Sequence, residues 1–328
     1  MSRFFKVKFL FLLFTIFGFA FLFFYFGKGG LSFHEINLWF LFPILLAAIL
    51  DLFFGSLRMY VFAKPVAPEV SLYECIIANI ASIASAVLTP SQTGGGIACL
   101  YFLKKAGCPL TAALALSIIN FLFTLMVLIG GGLFLFFIKS SLLTPKLSIL
   151  IQSAIVFLSL WTVATIFALL FPSPTLSIWQ RISSLFHLRK LLLIFEMALK
   201  GYSHYVSFYL FKNLDILLKS FFINALLYAN KFLIVFFIIK FLNTNAPTLD
   251  VLGGQIVLSL LGYTSPTPGG AGVAEIGAGL VMGKIIPEAK IISFVFLWRF
   301  FGVYLPLALA GLCLTVKGLL PRKMATQS

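Results

Sequence analysis

Six apolar runs, Phe4–Phe26, Leu38–Phe62, Leu110–Ile138, Leu147–Phe171, Leu214–Leu242 and Ile286–Val316, set the terms on which this chain can fold. Each is long enough to cross about 30 Å of hydrocarbon at about 1.5 Å per residue. Hydrocarbon offers no partner to a backbone N–H or C=O, so each run must satisfy its own hydrogen bonds as a helix. With 61% hydrophobic and only 10% charged residues, the 328-residue chain leaves no room for a soluble domain. The pattern is that of an all-α polytopic membrane protein forming a single membrane domain over residues 1–328. The basic N-terminus (Arg3, Lys6, Lys8) resembles a signal peptide, but the apolar run behind it is too long for one and reads as a retained first helix.

Two stretches interrupt this apolarity in the same way. Ser265–Glu275 reads Ser-Pro-Thr-Pro-Gly-Gly-Ala-Gly-Val-Ala-Glu, and Thr89–Cys99 reads Thr-Pro-Ser-Gln-Thr-Gly-Gly-Gly-Ile-Ala-Cys. They align without a gap at an offset of 176, and the register continues to Gly107 with Gly283 and Ala113 with Ala289. A run of matches at one offset is the mark of an internal duplication. Proline lacks an N–H and glycine loosens the backbone, so neither stretch suits a lipid-facing helix. Irregular backbone at membrane depth persists only where protein buries it or water lines it. Paired Gly/Pro-broken segments in two halves are the best sequence pointer to a transporter binding site. The helix that follows each loop would present its free N–H groups to an anion.

The apolar pieces that leave these loops, Ile97–Ala106 and Val273–Lys284, have about half the length needed to cross a bilayer. Each pair of pieces therefore reads as a re-entrant helical hairpin, over 70–106 and 248–284. The repeats then cover 38–138 and 214–316, joined by a linking helix over 147–171 and a polar linker over 172–213. The alternative, with every piece crossing fully, requires crossings of about ten residues and is physically poor. The first helix, 4–26, stands outside the repeats. Re-entrant hairpins leave both termini on one side, which collects sixteen of the 24 Lys and Arg residues, Arg58 among them. The positive-inside rule makes that side cytoplasmic. The two repeats are then inverted copies, the arrangement that favours alternating access. Within the linker, Ile178, Trp179, Ile182, Leu185, Phe186 and Leu193 oppose Arg181, Arg189 and Lys190, as on a basic surface helix, followed by Tyr202, Tyr205 and Tyr209 as an interfacial aromatic belt.

Four charges, Asp51, Lys231, Glu275 and Arg299, fall at membrane depth, where each costs about 2.5–3.5 kcal/mol or more and marks a function by default. Structural pairing of Asp51 with Lys231 and of Glu275 with Arg299 is the competing reading. Arg299 is the better phosphate ligand, because a guanidinium offers two parallel bonds, whereas Lys231 can snorkel. The candidate substrate-binding set is therefore Asp51, Gly94, Gly95, Gly96, Lys231, Gly269, Gly270, Gly272, Glu275 and Arg299, with Pro90, Pro266 and Pro268 shaping the loops. No P-loop, GxGxxG, GxSxG or HExxH pattern is present, and Glu275 has no nucleophile or His near it in sequence, so no catalytic residue is assigned. Four scattered cysteines and three scattered histidines give no metal or disulfide framework, and no cofactor is expected. The net charge of +15 follows from loop cations facing anionic lipid and does not call for nucleic acid.

The chain resembles the lysylphosphatidylglycerol synthase transmembrane-region family. The resemblance rests on Thr89-Pro90 with Gly94-Gly95-Gly96, Leu103-Lys104-Lys105-Ala106-Gly107, Pro266 through Glu275, and Trp298-Arg299 with Pro306 and Gly311 behind. Arg58 and Pro65 also fit. It implies a flippase-like domain of a prokaryotic inner membrane that moves a lipid, with an anionic headgroup, between leaflets. The soluble aminoacyl-transferase domain of larger members is missing, and a homo-oligomer is compatible with the resemblance. The chain departs from the family at Ile97-Ala98-Cys99, where members often carry an acidic residue, and at Asn120, where a charge is expected. Two readings stand: a lipid flippase, or a membrane-embedded transferase or lipid-presenting subunit acting on a lipid-linked substrate.

Overall fold

The computed structural model describes residues 35–89, 93–137, 144–171 and 204–319, with short pieces at 15–22, 24, 174, 177 and 202. Most of the expected first helix and the amphipathic part of the linker lie outside the described residues, as does Pro90. Ten α-helices follow in order: α1 Leu41–Ala63, α2 Leu72–Val87, α3 Thr93–Lys105, α4 Leu110–Phe137, α5 Pro145–Leu170, α6 Leu214–Phe241, α7 Thr248–Thr264, α8 Val273–Met282, α9 Glu288–Arg299 and α10 Leu305–Leu319. Among the described residues no strand occurs.

Among the described residues five segments are long and apolar enough to span a membrane: Leu38–Ala63, Leu110–Phe137, Leu147–Ala168, Leu214–Phe241 and Glu288–Leu312. Their outward faces carry bare large side chains such as Trp39, Phe42, Phe137, Leu160 and Phe222, which water would not tolerate in such number. The protein is an integral membrane protein. Within it, α4 is central and α5 peripheral: 56% of the α4 window is buried against 17% for α5.

Local chemistry sets the helix ends. Ser71 and Glu74 form a reciprocal capping box at the start of α2, with Ser71 N–H to Glu74 Oε2 at 2.9 Å and Glu74 N–H to Ser71 Oγ at 3.3 Å. At the end of α3, Gly107 adopts φ +99°, and Cys108 N–H reaches back to Leu103 O at 3.0 Å. This is a Schellman ending, in which only glycine takes the left-handed turn without strain. Between α9 and α10, Phe300–Tyr304 widens into a π-turn, and Leu305 N–H bonds to Phe300 O. Pro306 explains the widening, since it supplies no N–H and its ring would clash with the carbonyl four residues earlier.

The offset of 176 found in the sequence carries over to the elements. It takes Leu72, the first residue of α2, to Thr248, the first residue of α7. It takes α1 into the interior of α6, and Leu110 at the start of α4 to Ile286, two residues before α9. The most extensive packing sets α1 along α6 and α2 along α3, followed by α1 against α2 and α7 along α8. Tyr202 and Tyr209 do not form an interfacial belt. Both are buried, and Tyr209 stacks edge-on against Phe62 and donates its hydroxyl to Phe62 O at 2.7 Å. That carbonyl lies in the last turn of α1, where no intrahelical donor remains, so the phenol supplies one.

Small residues bring α2 and α3 together. Ser82 Oγ donates to Gly95 O at 2.8 Å, and a Cβ on Gly94 would fall 2.7 Å from Thr89 Oγ1 and 2.8 Å from Ser85 O. A Cβ on Gly96 would meet nothing within 4 Å. Gly94→Ala is therefore expected to lower stability by about 1–3 kcal/mol, the usual cost of overpacking. Gly96→Ala should leave it unchanged or raise it by up to about 1 kcal/mol through helix propensity. Thermal unfolding of the detergent-solubilised variants checks the contrast; an equal response of the two would contradict it.

Candidate functional site

A cavity of about 700 Å³ opens between the two halves of the duplication. Its wall is built from equivalent positions: Asn79 and Gln255, Ala86 and Gly262, Val87 and Tyr263, each pair separated by the same offset. α1 and α6, lying side by side, contribute Asp51 and Lys231, while α9 and the π-turn contribute Trp298, Arg299 and Gly302.

Both charge pairs foreseen in the sequence form. Lys231 Nζ lies 2.9 and 3.0 Å from the two oxygens of Asp51, and this pair ties α1 to α6. Its side chains keep 35% and 18% of their exposure, all of it at membrane depth, and both line the cavity. Lys231 points to Asp51 and does not snorkel. The second pair is enclosed: Arg299 Nε bonds to Glu275 Oε1 at 2.8 Å, with 4% and 0% exposure.

Glu275 does two jobs with one carboxylate. Its Oε2 accepts from Gly272 N–H at 2.7 Å, capping α8 from the third helical position. The N-terminus of α8, expected to face an anion, thus holds the protein's own carboxylate. Arg299 Nη1 also donates to Gly269 O at 3.1 Å, so the guanidinium bridges the two ends of the loop. Gly269, Gly270 and Gly272 have φ of +57°, +69° and +80°, conformations that only glycine adopts cheaply. Gly18, in the helical piece at 15–22, closes over the loop: a Cβ there would lie 3.0 Å from Gly272 Cα and 3.1 Å from Glu275 Cβ.

The other candidates divide by position. Gly95, Gly96 and Gly269 line the cavity, whereas Gly94 sits in the α2–α3 contact and Gly270 and Gly272 are buried in the loop. Pro268 is buried and Pro266 exposed. Cys99, in the Ile97-Ala98-Cys99 stretch where the resemblance led to the expectation of an acidic residue, is buried and accepts from Ser117 Oγ at 3.7 Å. Asn120 is buried and accepts from Ser220 Oγ at 3.2 Å. Sequence reasoning did not single out Asn79, Gln255 or Tyr228 as cavity residues. The offset could have found the first two, as amides at matched positions in apolar helices. Arg58, counted with the cytoplasmic cations, lies within α1 and lines the cavity.

Breaking the enclosed pair leaves a buried charge alone, which typically costs about 3–5 kcal/mol. Glu275→Gln is expected to destabilise the protein on that scale, and Glu275→Gln with Arg299→Gln to recover part of the loss. Asp51→Asn, at a pair open to the cavity, should cost less. Thermal unfolding of the three variants decides; a cost for Asp51→Asn equal to that for Glu275→Gln would contradict the ranking.

No curated protein matches the chain. The family described as Lysylphosphatidylglycerol synthase TM region matches residues 7–310, a span that includes every residue lining the cavity. The chain belongs to this family of membrane domains with lipid-related functions.

Proposed function

We propose that the protein is a lipid flippase, in which the cavity carries a phospholipid or lipid-linked headgroup between leaflets while the acyl chains stay in the bilayer. The observation that carries this reading is the cavity itself. It is large, lies between two related halves, and holds charged and amide side chains at the depth where hydrocarbon would otherwise exclude them. A second, apolar groove of about 230 Å³ runs between α5 and α7, lined by Ile151, Phe157, Val257 and Leu261 among others. Its residues Phe157 and Val257 are chain neighbours of Leu158 and Leu258 in the cavity wall, and the groove offers an acyl chain a place beside the headgroup.

On this reading α2–α3 and α7–α8 are hairpins that enter from opposite faces and stop near the midplane. Helices of 16, 13, 17 and 10 residues support it. At about 1.5 Å per residue even the longest falls short of about 30 Å of hydrocarbon. The duplication is then inverted, with both termini cytoplasmic in a prokaryotic inner membrane. Rocking of one half against the other would expose the cavity to each leaflet in turn. Glu275 and Arg299 hold the second loop rigid through that motion. Lys231 and Asp51 can exchange each other for the charges of the headgroup.

Two measurements test the reading. With single cysteines in a cysteine-free background, labels at 104–107 should react from the cytoplasmic side and labels at 284–287 from the other; reaction of both from one side would remove the inverted arrangement. Gly96 and Gly302 line the cavity, and a Cβ on either meets nothing within 4 Å. Gly96→Trp and Gly302→Trp should therefore fold yet reduce leaflet exchange of fluorescent phospholipid in reconstituted vesicles to the protein-free background. Normal exchange by both would sink the proposed path, and a chemically altered lipid in the same vesicles would favour a transferase.

A further inference from the structure

Three cations and one carboxylate line the cavity: Arg58, Lys231, Arg299 and Asp51. Asp51 neutralises Lys231, and Glu275, behind the wall, neutralises Arg299. Arg58 has no carboxylate partner among the described residues. Its Nη1 donates to Asn224 Oδ1 at 2.8 Å, and its Nε is buried with no hydrogen-bond partner among them. An amide orients the guanidinium without cancelling its charge. Asn224 is itself 0% exposed, with its Nδ2 unpartnered, so the orienting group is fixed in the protein interior. The cavity thus carries one net positive charge, concentrated on a guanidinium that lines it and is held by an amide alone. A cation at membrane depth without a counter-ion is costly, and an anion entering the cavity removes that cost.

From this we infer that Arg58 is the seat of a phosphate group, held by the part of its guanidinium that lines the cavity while Asn224 fixes Nη1. Resting on the flippase reading, it names the chemistry of the headgroup as a phosphate ester and places its contact on α1, away from the glycine loops. The fork geometry suits a phosphate, which accepts two parallel N–H bonds. Gly55, one turn earlier on α1, makes room for the Asn79 amide in the cavity wall: a Cβ there would lie 2.6 Å from Asn79 Nδ2. Arg299, by contrast, already serves Glu275 and Gly269.

The test uses the full chain in detergent and three probes: dihexanoyl phosphatidylglycerol, dihexanoylglycerol and inorganic phosphate, with binding followed by tryptophan fluorescence. Wild type is expected to bind the phosphatidylglycerol and not the phosphate-free diacylglycerol. Arg58→Gln should weaken that binding by about tenfold or more, the factor carried by a charge-assisted hydrogen bond. Asn224→Asp is the decisive variant because it protects the fold. It sets a carboxylate against the guanidinium, so the unfolding temperature of the free protein should rise while lipid binding falls as for Arg58→Gln. A merely structural Arg58 would give the same rise with unchanged binding, which overturns the inference and leaves the flippase reading intact. Inorganic phosphate binding as tightly as the lipid, with the same response to Asn224→Asp, would keep Arg58 as the anion seat and overturn the lipid headgroup. Failure of wild type to bind either phosphate probe would overturn both.

Discussion

Irregular backbone at membrane depth must find its hydrogen bonds inside the protein, and here the Glu275 carboxylate meets that demand for the second glycine loop. One oxygen takes Gly272 N–H and the other takes Arg299, which in turn reaches Gly269 O. Three residues with positive φ are thereby closed into a ring of charge-assisted bonds. Without that ring the loop would expose polar backbone and a bare carboxylate to an apolar interior. With it, α8 can begin at Val273 inside the protein, against the cavity wall.

The duplicated halves solve the same problem differently. At the first loop Thr89 does the capping, accepting from Gly94 N–H at 2.7 Å and donating to Ser85 O at 2.9 Å. No charge is needed there, and the positions matching Glu275 and Arg299 are Cys99 and Phe123. The position matching Pro306 is Gly130, within α4, which runs unbroken from Leu110 to Phe137. In the second half Pro306 forces the π-turn directly after Arg299, and the widened segment brings Phe301, Gly302 and Val303 to the cavity. One half therefore keeps a regular helix with a neutral loop, and the other carries the ionic latch and the distorted helix.

Much of this was legible in the sequence because it follows from periodicity and cost. Helix spans are set by apolar length, so five of the six expected runs coincide with the spans of the structure within a few residues, and the sixth lies mostly outside the described residues. The two ion pairs were legible because four charges at membrane depth leave few ways to pair. Other features depend on where side chains point, which no spacing encodes. Tyr209 looked interfacial because it follows a polar linker, yet its hydroxyl finds an orphan carbonyl at Phe62. Gly94, Gly95 and Gly96 look alike in sequence, but successive residues on a helix point about 100° apart. Gly94 therefore meets α2, while Gly96 faces open space. Arg58 sits near enough to the end of α1 to be counted with the loop cations, and only the packing of α6 against α1 shows that it faces the cavity beside Asn224.

The exposure of the charges ranks what each can do. The Glu275–Arg299 pair is so fully enclosed that removing either partner would cost about 3–5 kcal/mol, which on the flippase reading is too much for a contact remade in every cycle. Lys231 and Asp51 keep access to the cavity, where a polar ligand can substitute for either partner at lower cost. Arg58 faces only an amide, so an incoming anion has no internal carboxylate to displace. A transporter must bind its substrate strongly enough to draw it from the bilayer and weakly enough to release it. On the flippase reading, a single uncompensated cation with its neighbours already neutralised satisfies both requirements: it attracts one anion and leaves no second free charge to trap it. On α1 Arg58 and Asp51 are two turns apart, about 10 Å along the axis. A headgroup passing from one to the other would exchange attraction to a fixed charge for a neutral pair, which favours onward movement over retention.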